Sequence, residues 1–305
     1  MRVSRAHSRH GFTLVEILTS LFILGILGLA FVRLITSQSR FAEGQMALRN
    51  ARSVSRNAMN IMLTDFRMVQ DSGGLRYAAR DSVTVRVPVA FGLLCANTAG
   101  IATFTILPVD SAMTALGQYS GWAYRDSADG RYKYQDAVAP TGFNSLATGT
   151  STTCTDSIMV TGVYRPGILP ITYGGRSGKV VQVTDPLVAA TPNAGWPIFL
   201  YQQVTYRFDS STAYPHRVGL FRKVRTNDPL APIVDEIIAP FDTSAKFRFY
   251  ALNADVAQDA VPADINTVRG LELVLAGSSP RAQQGQQSAQ QAMVTGVFFK
   301  NRRDP

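Results

Sequence analysis

An apolar run of 21 residues, Phe12 to Val32, is interrupted only by Thr13, Glu16, Thr19, Ser20, Gly25 and Gly28. As a helix it rises about 32 Å, enough to cross a hydrocarbon core of about 30 Å. Arg2, Arg5 and Arg9 precede it. Cations flanking one end of a span hold that end in the cytoplasm, so everything after the run is expected outside. A cleavable secretory signal is the plain alternative, with Ser37-Gln38-Ser39 as a small-x-small site. Against it, the run exceeds the usual signal core of about 7–15 residues and the segment after it keeps a helical pattern. Glu16 is the informative exception inside the run. A lone carboxylate at membrane depth costs a few kcal/mol, which marks it as a candidate functional residue rather than a tolerated interfacial one.

The stretch Gly11-Phe12-Thr13-Leu14-Val15-Glu16-Ile17-Leu18 resembles the prepilin motif of type IV pilins and of the pseudopilins of type II secretion. The resemblance implies cleavage after Gly11 by a prepilin peptidase and N-methylation of the new first residue, Phe12. It also implies that Glu16 pairs with the terminal ammonium of a neighbouring subunit during assembly. A carboxylate and an ammonium, each costly alone in an apolar setting, offset one another only when subunits are in register. The implied partners are the prepilin peptidase, other major and minor pilins or pseudopilins, and the inner-membrane assembly platform. The implied location is the inner membrane, crossed once with the head outside the cytoplasm, and then a filament.

With 305 residues and 46% hydrophobic composition, the chain can build a long helix and a large core. Losing the three arginines of the leader lowers its formal charge from +9 to +6. That mild excess reads as a solvated surface rather than a dense basic tract. The two cysteines, Cys95 and Cys154, both follow the apolar run. In an exported domain they are compatible with one disulfide closing a loop of about 60 residues, worth about 4 kcal/mol in the chain-entropy model. Two unpaired buried thiols are the alternative.

The helix is expected to continue to about Gln70 and to stop at Gly73-Gly74. Ala47, Ala51, Val54, Ala58, Ile61, Met62, Phe66 and Val69 recur at three- and four-residue spacing and predict the face that packs on a domain. From Asp81 the pattern changes to short strands: 83–91, 101–109, 121–125, 157–164, 197–208, 218–224, 246–252, 268–275 and 293–300. Residues 134–155 and 188–195 read as loops, and 283–291 as a Gln/Ala-rich loop between the last two strands. The expected fold class is therefore α+β: a long N-terminal helix packed on a strand-rich antiparallel head. Its divisions are a leader, 1–11; a membrane-spanning segment, 12–33; an amphipathic continuation, 34–72; and a β-rich head, 75–305.

The C-terminal half carries a looser resemblance. Val204-Thr205-Tyr206-Arg207-Phe208, Gly219-Leu220-Phe221-Arg222-Lys223, Ile233 to Ile238, Phe247-Arg248-Phe249-Tyr250 and Gly296 to Asn301 together look like PilW-type minor pilins and J-type pseudopilins. The chain departs from major pilins in its length, its mid-chain cysteines, and Arg33 where a helix-breaking proline is usual. These departures favour a minor subunit. Residues 75–195 resemble nothing recognised.

Other chemistry finds little support. Gly174 to Lys179 evokes a phosphate loop, but Tyr173 stands for the first glycine and Val180 for the Ser/Thr. With His7 and His10 in the leader, only His216 remains, and it reads as a surface turn residue. Asp126, Asp129 and Gly130, or Asp255, Asp259 and Asp264, lack the alternating spacing of a calcium loop. No cofactor, metal or catalytic activity is expected. Nucleic acid as a partner rests only on the cations of Leu220 to Arg225, which would suit a DNA-binding or adhesive head.

Overall fold

The computed structural model describes residues 13–98, 101–107, 109–110, 119–126, 130–136, 158–160, 163–165, 172–173, 176–177, 179–184, 196–225, 233–252, 254–280 and 288–299. One α-helix, α1, runs unbroken over Leu14–Phe66, 53 residues and about 80 Å. Gly25, Gly28 and Arg33 lie within it without interrupting it. None of residues 14–50 is buried, whereas Ala51, Ser55, Ala58, Met62 and Phe66 are. The chain thus buries one stripe of the helix's last four turns and leaves the apolar part bare. The helix is apolar and long enough to cross a membrane.

Regular helix ends at Phe66, four residues before the expected Gln70, and tighter turns carry the chain on. Gly73 adopts φ +72°, and a side chain on Gly74 would collide with the Gln70 carbonyl. The two glycines therefore serve the bend that returns the chain to the sheet.

Sixteen strands follow among the described residues: β1 Leu75–Ala78, β2 Ser82–Thr98, β3 Ile101–Ile106, β4 Gly121–Arg125, β5 Tyr132–Asp136, β6 Ile158–Val160, β7 Val163–Arg165, β8 Thr172–Tyr173, β9 Arg176–Ser177, β10 Lys179–Thr184, β11 Pro197–Ser210, β12 Val218–Arg225, β13 Ile233–Phe241, β14 Lys246–Ala251, β15 Val268–Ser278 and β16 Gln290–Phe298. Twelve form one curled antiparallel sheet; β6 pairs with β7, and β8 with β9, apart from it. The fold is α+β as expected.

The long strands β2 and β11 pair from Ser82↔Arg207 to Leu93↔Pro197 and are shared by two lobes. On the other edge of β11, residues 203–210 pair with β12, while 198–201 pair with β4. Ser120 sits at the fork: its hydroxyl donates to the Arg225 carbonyl (2.6 Å) and accepts the Gln203 N–H (2.9 Å). Burial along β11 changes at the same place. Residues 198–202 are buried in unbroken succession, then Val204, Tyr206 and Phe208 alternate with less buried neighbours. A strand covered on both faces loses alternation; one with a solvated face keeps it.

The first lobe packs Ala58, Met62, Phe66 and Val69 against Val85, Tyr206, Phe247, Leu271 and Leu273. Each large side chain buried there stabilises by roughly 1.5–3 kcal/mol. The second lobe has separate clusters, one around Leu94, Trp122, Tyr124 and Leu200, the other joining Ala123, Phe199 and Tyr201 to Tyr132 and Tyr134.

Several expectations need correction. The loop expected over 134–155 begins as β5, because Tyr132 and Tyr134, two apart, share a face and stack on Phe199 at 5.2 and 5.9 Å. The strand expected over 157–164 is a hairpin of β6 and β7, with Val160 opposite Val163. The loop expected to reach Gln291 ends sooner, since β16 starts at Gln290 and pairs with Ser278. Residues 188–195, also read as a loop, lie outside the described residues.

Candidate functional site

The functional element indicated by the sequence starts at Thr13. Its Oγ1 accepts the Glu16 N–H (3.3 Å), and its own N–H donates to Glu16 Oε2 (3.2 Å). This reciprocal capping satisfies two of the donors that a helix start leaves free. It also places a carboxylate against the positive end of the helix dipole. Glu16 is exposed and makes no ion pair among the described residues. The carboxylate is held in place yet open to a cation from outside the chain. Gly11, Phe12 and Cys154 lie outside the described residues. Cys95 lies on β2, whose pairing with β3 shifts register between Leu94 and Ala96.

The other end of α1 is seated on the head by two devices. At the first, Ser55 takes a position in the buried stripe. Its hydroxyl donates to the Leu275 carbonyl (3.1 Å) and accepts the Gly277 N–H (3.0 Å). A side chain at Gly277 would lie within contact distance of the Ala51 carbonyl and 2.5 Å from Ser55 Oγ, so only glycine lets the backbones approach this closely. At the second, Tyr206 and Arg222 are cross-strand partners on β11 and β12. The Tyr206 hydroxyl donates to Asp65 Oδ2 (2.6 Å), and Arg222 Nη2 donates to the same oxygen (3.0 Å). Burial pushes the Tyr206 hydroxyl well up, and the Asp65 charge adds to the shift. Hydrogen bonds with a charged partner contribute roughly 1.5–3 kcal/mol.

A third polar cluster joins the helix exit to the second lobe. Arg86 donates to the Gly73 carbonyl (2.6 Å) and to Asp136 Oδ1 (3.1 Å), and lies 4.6 Å from the centre of the Tyr134 ring. Tyr201 donates to Asp136 Oδ1 (2.5 Å), and Arg76 completes the site. Burial pushes the Asp136 carboxyl up, but the Tyr201 hydrogen bond and the charges of Arg86 and Arg76 outweigh it, leaving Asp136 below its ordinary value.

Sequence reasoning recognised Tyr206 and Arg222 as part of a pattern but not their common partner Asp65. It missed Ser55 and Gly277. A small polar residue in line with Ala51, Ala58 and Met62 was the available signal, and Ile61, expected on that face, is 39% exposed. Of the cations of Leu220 to Arg225, Arg222 is engaged inside the head. His216 is an exposed turn residue with φ 60°. Asp255 pairs with Arg269, Asp259 with Lys246, and Asp264 caps a short 3₁₀ turn.

The family model for the prokaryotic N-terminal methylation motif matches residues 6–32. No curated protein and no solved structure matches the chain. The motif supports a type IV pilin-like prepilin or pseudopilin subunit, processed by prepilin peptidase and assembled with other pilins in a membrane complex. Together with the bare apolar helix it supports anchoring in the inner membrane.

Proposed function

We propose that this chain is a minor subunit of a type IV pilus-like filament, cleaved between Gly11 and Phe12 and placed at the tip or in the complex that primes assembly. The role is structural rather than catalytic. The observation that carries the reading is the division of α1: residues 14–43 are exposed throughout, while the last four turns are fastened to the head. An apolar helix of that length requires lipid before assembly and other helices after it. Glu16, held in the capping box but without an ion-pair partner among the described residues, is positioned to receive the new ammonium of a neighbouring subunit.

The minor role follows from the head. Its second lobe packs clusters that contain no residue of α1, so it adds bulk beyond what the helix seat requires. Heads that tile closely around a shaft tolerate such bulk poorly; an end tolerates it.

The test combines processing and position. Intact mass should show a chain beginning at Phe12 with one added methyl, and Gly11→Glu should leave the leader attached. Immunogold labelling should mark filament ends. A mature chain that begins near Arg40, or label spread evenly along filaments, would refute the respective part.

A further inference from the structure

Beyond the apolar run, α1 and its cap carry six arginines, Arg33, Arg40, Arg49, Arg52, Arg56 and Arg67, against two carboxylates, Glu43 and Asp65. Asp65 is already bound by Tyr206 and Arg222. All six arginines are exposed. Arg49, Arg56 and Arg67 are separated by almost whole numbers of turns, so they fall on one line along the helix, about 27 Å from end to end. Arg52 flanks that line one turn from both Arg49 and Arg56. The line lies roughly 130° around the helix from the stripe buried on the head. Arg52 donates to Gln291 Oε1 at 3.5 Å; Arg49, Arg56 and Arg67 make no ion pair among the described residues.

Like charges three and four residues apart weaken a helix, and nothing described within the chain offsets this. A second copy is a poor answer. Its own line would repel the first, and its stem beyond the apolar run offers only Glu43 besides Asp65, which Tyr206 and Arg222 already hold. Lipid headgroups are out of reach. With Val32 at the end of the span, Arg49 stands about 25 Å further along the helix, well beyond a Debye length of about 8 Å. Neighbours on the line are Ser53, Asn57 and Asn60 rather than aromatic rings on which bases stack.

We infer that this arginine line is a docking surface for the acidic helical stem of a different pilin-like subunit, one carrying Asp or Glu at three-, four- and seven-residue spacing. The inference rests on the filament reading and deepens it: like-charge repulsion disfavours self-packing and charge complementarity selects the neighbour.

The experiment uses the full-length chain in cells that assemble filaments. R49E/R52E/R56E should lower recovery in sheared filaments at least tenfold, while the membrane-held, processed pool stays unchanged. R49K/R52K/R56K, which keeps the charge, should remain within about twofold of wild type. A photo-crosslinking residue at Asn60 should join another protein's helix at a segment bearing the predicted carboxylates. Normal incorporation of the glutamate triple variant overturns the inference. So does a crosslink to nucleic acid, to lipid, to a second copy of this chain, or to a segment without carboxylates. If wild-type chain is itself absent from filaments, the filament reading fails, and the crosslink from the membrane-held chain still decides the docking surface.

Discussion

Gly277→Ala tests whether close backbone contact holds the helix to the head. The added methyl would lie 2.5 Å from Ser55 Oγ and also press on the Ala51 carbonyl. Ordinary carbon–oxygen contacts begin at about 3.3 Å, so the helix must retreat by roughly 1 Å. Overpacking of this kind costs about 1–3 kcal/mol. Retreat also stretches the two hydrogen bonds of Ser55, to Leu275 and from Gly277, each contributing about 1 kcal/mol. The expected loss is about 2–5 kcal/mol. At about 2–4 °C per kcal/mol for a chain of this size, the midpoint should fall by roughly 4–20 °C. Gly25→Ala is the matched control, because nothing lies within 4 Å of its added methyl. Gly25 lies in the exposed stretch 14–43, away from the head, so the head's transition should not move. Both variants are measured by thermal and by chemical unfolding of the full chain in detergent, following near-ultraviolet circular dichroism of the head. If Gly277→Ala lies within 0.5 kcal/mol of wild type, a margin typical of surface substitutions, the close-contact argument is wrong.

The remaining predictions concern charge. Asp136 is held below its ordinary value in the folded chain, so its contribution is fully present above the unfolded value of about 3.9 and is lost as pH falls through the lower folded value. Asp136→Asn should therefore lower stability at neutral pH and flatten the acid limb; superimposable acid limbs for variant and wild type would contradict this. Glu16→Ala should leave membrane insertion intact, or ease it, while reducing incorporation into filaments, because it removes a pairing charge and not apolar length. Equal recovery of variant and wild type from sheared filaments would count against the pairing role.

Much of the architecture is legible in short-range pattern. The bare helix follows from residues 12–32 alone, and β4 falls on Gly121–Arg125 as expected because turn residues bound an aromatic pair there. The expected β11, β12 and β15 lie inside the observed strands, which extend one to three residues further, and β14 ends at Ala251, one residue before its expected limit. β1, β5, β10 and β13 are absent from the expected strands; β1 and β5 are short, and the strand character of all four comes from partners, β2, β4, β3 and β12 respectively.

The features written along the chain are local: an apolar length matched to a membrane, a carboxylate inside it, a motif at its head, and the change from helical to alternating periodicity. Which strands meet is settled by packing across the assembled sheet. The fork of the sheet at Ser120 joins residues 83 and 105 positions apart, and the helix seat joins Ser55 to Gly277 across 222. Neither leaves a periodic trace, because periodicity records which side of an element is covered and carries no information about what covers it. Asp65, Tyr206 and Arg222 form a site for the same reason. Their chemistry is visible in the sequence, but their meeting is made by the sheet that brings β11 and β12 beneath the last turn of the helix.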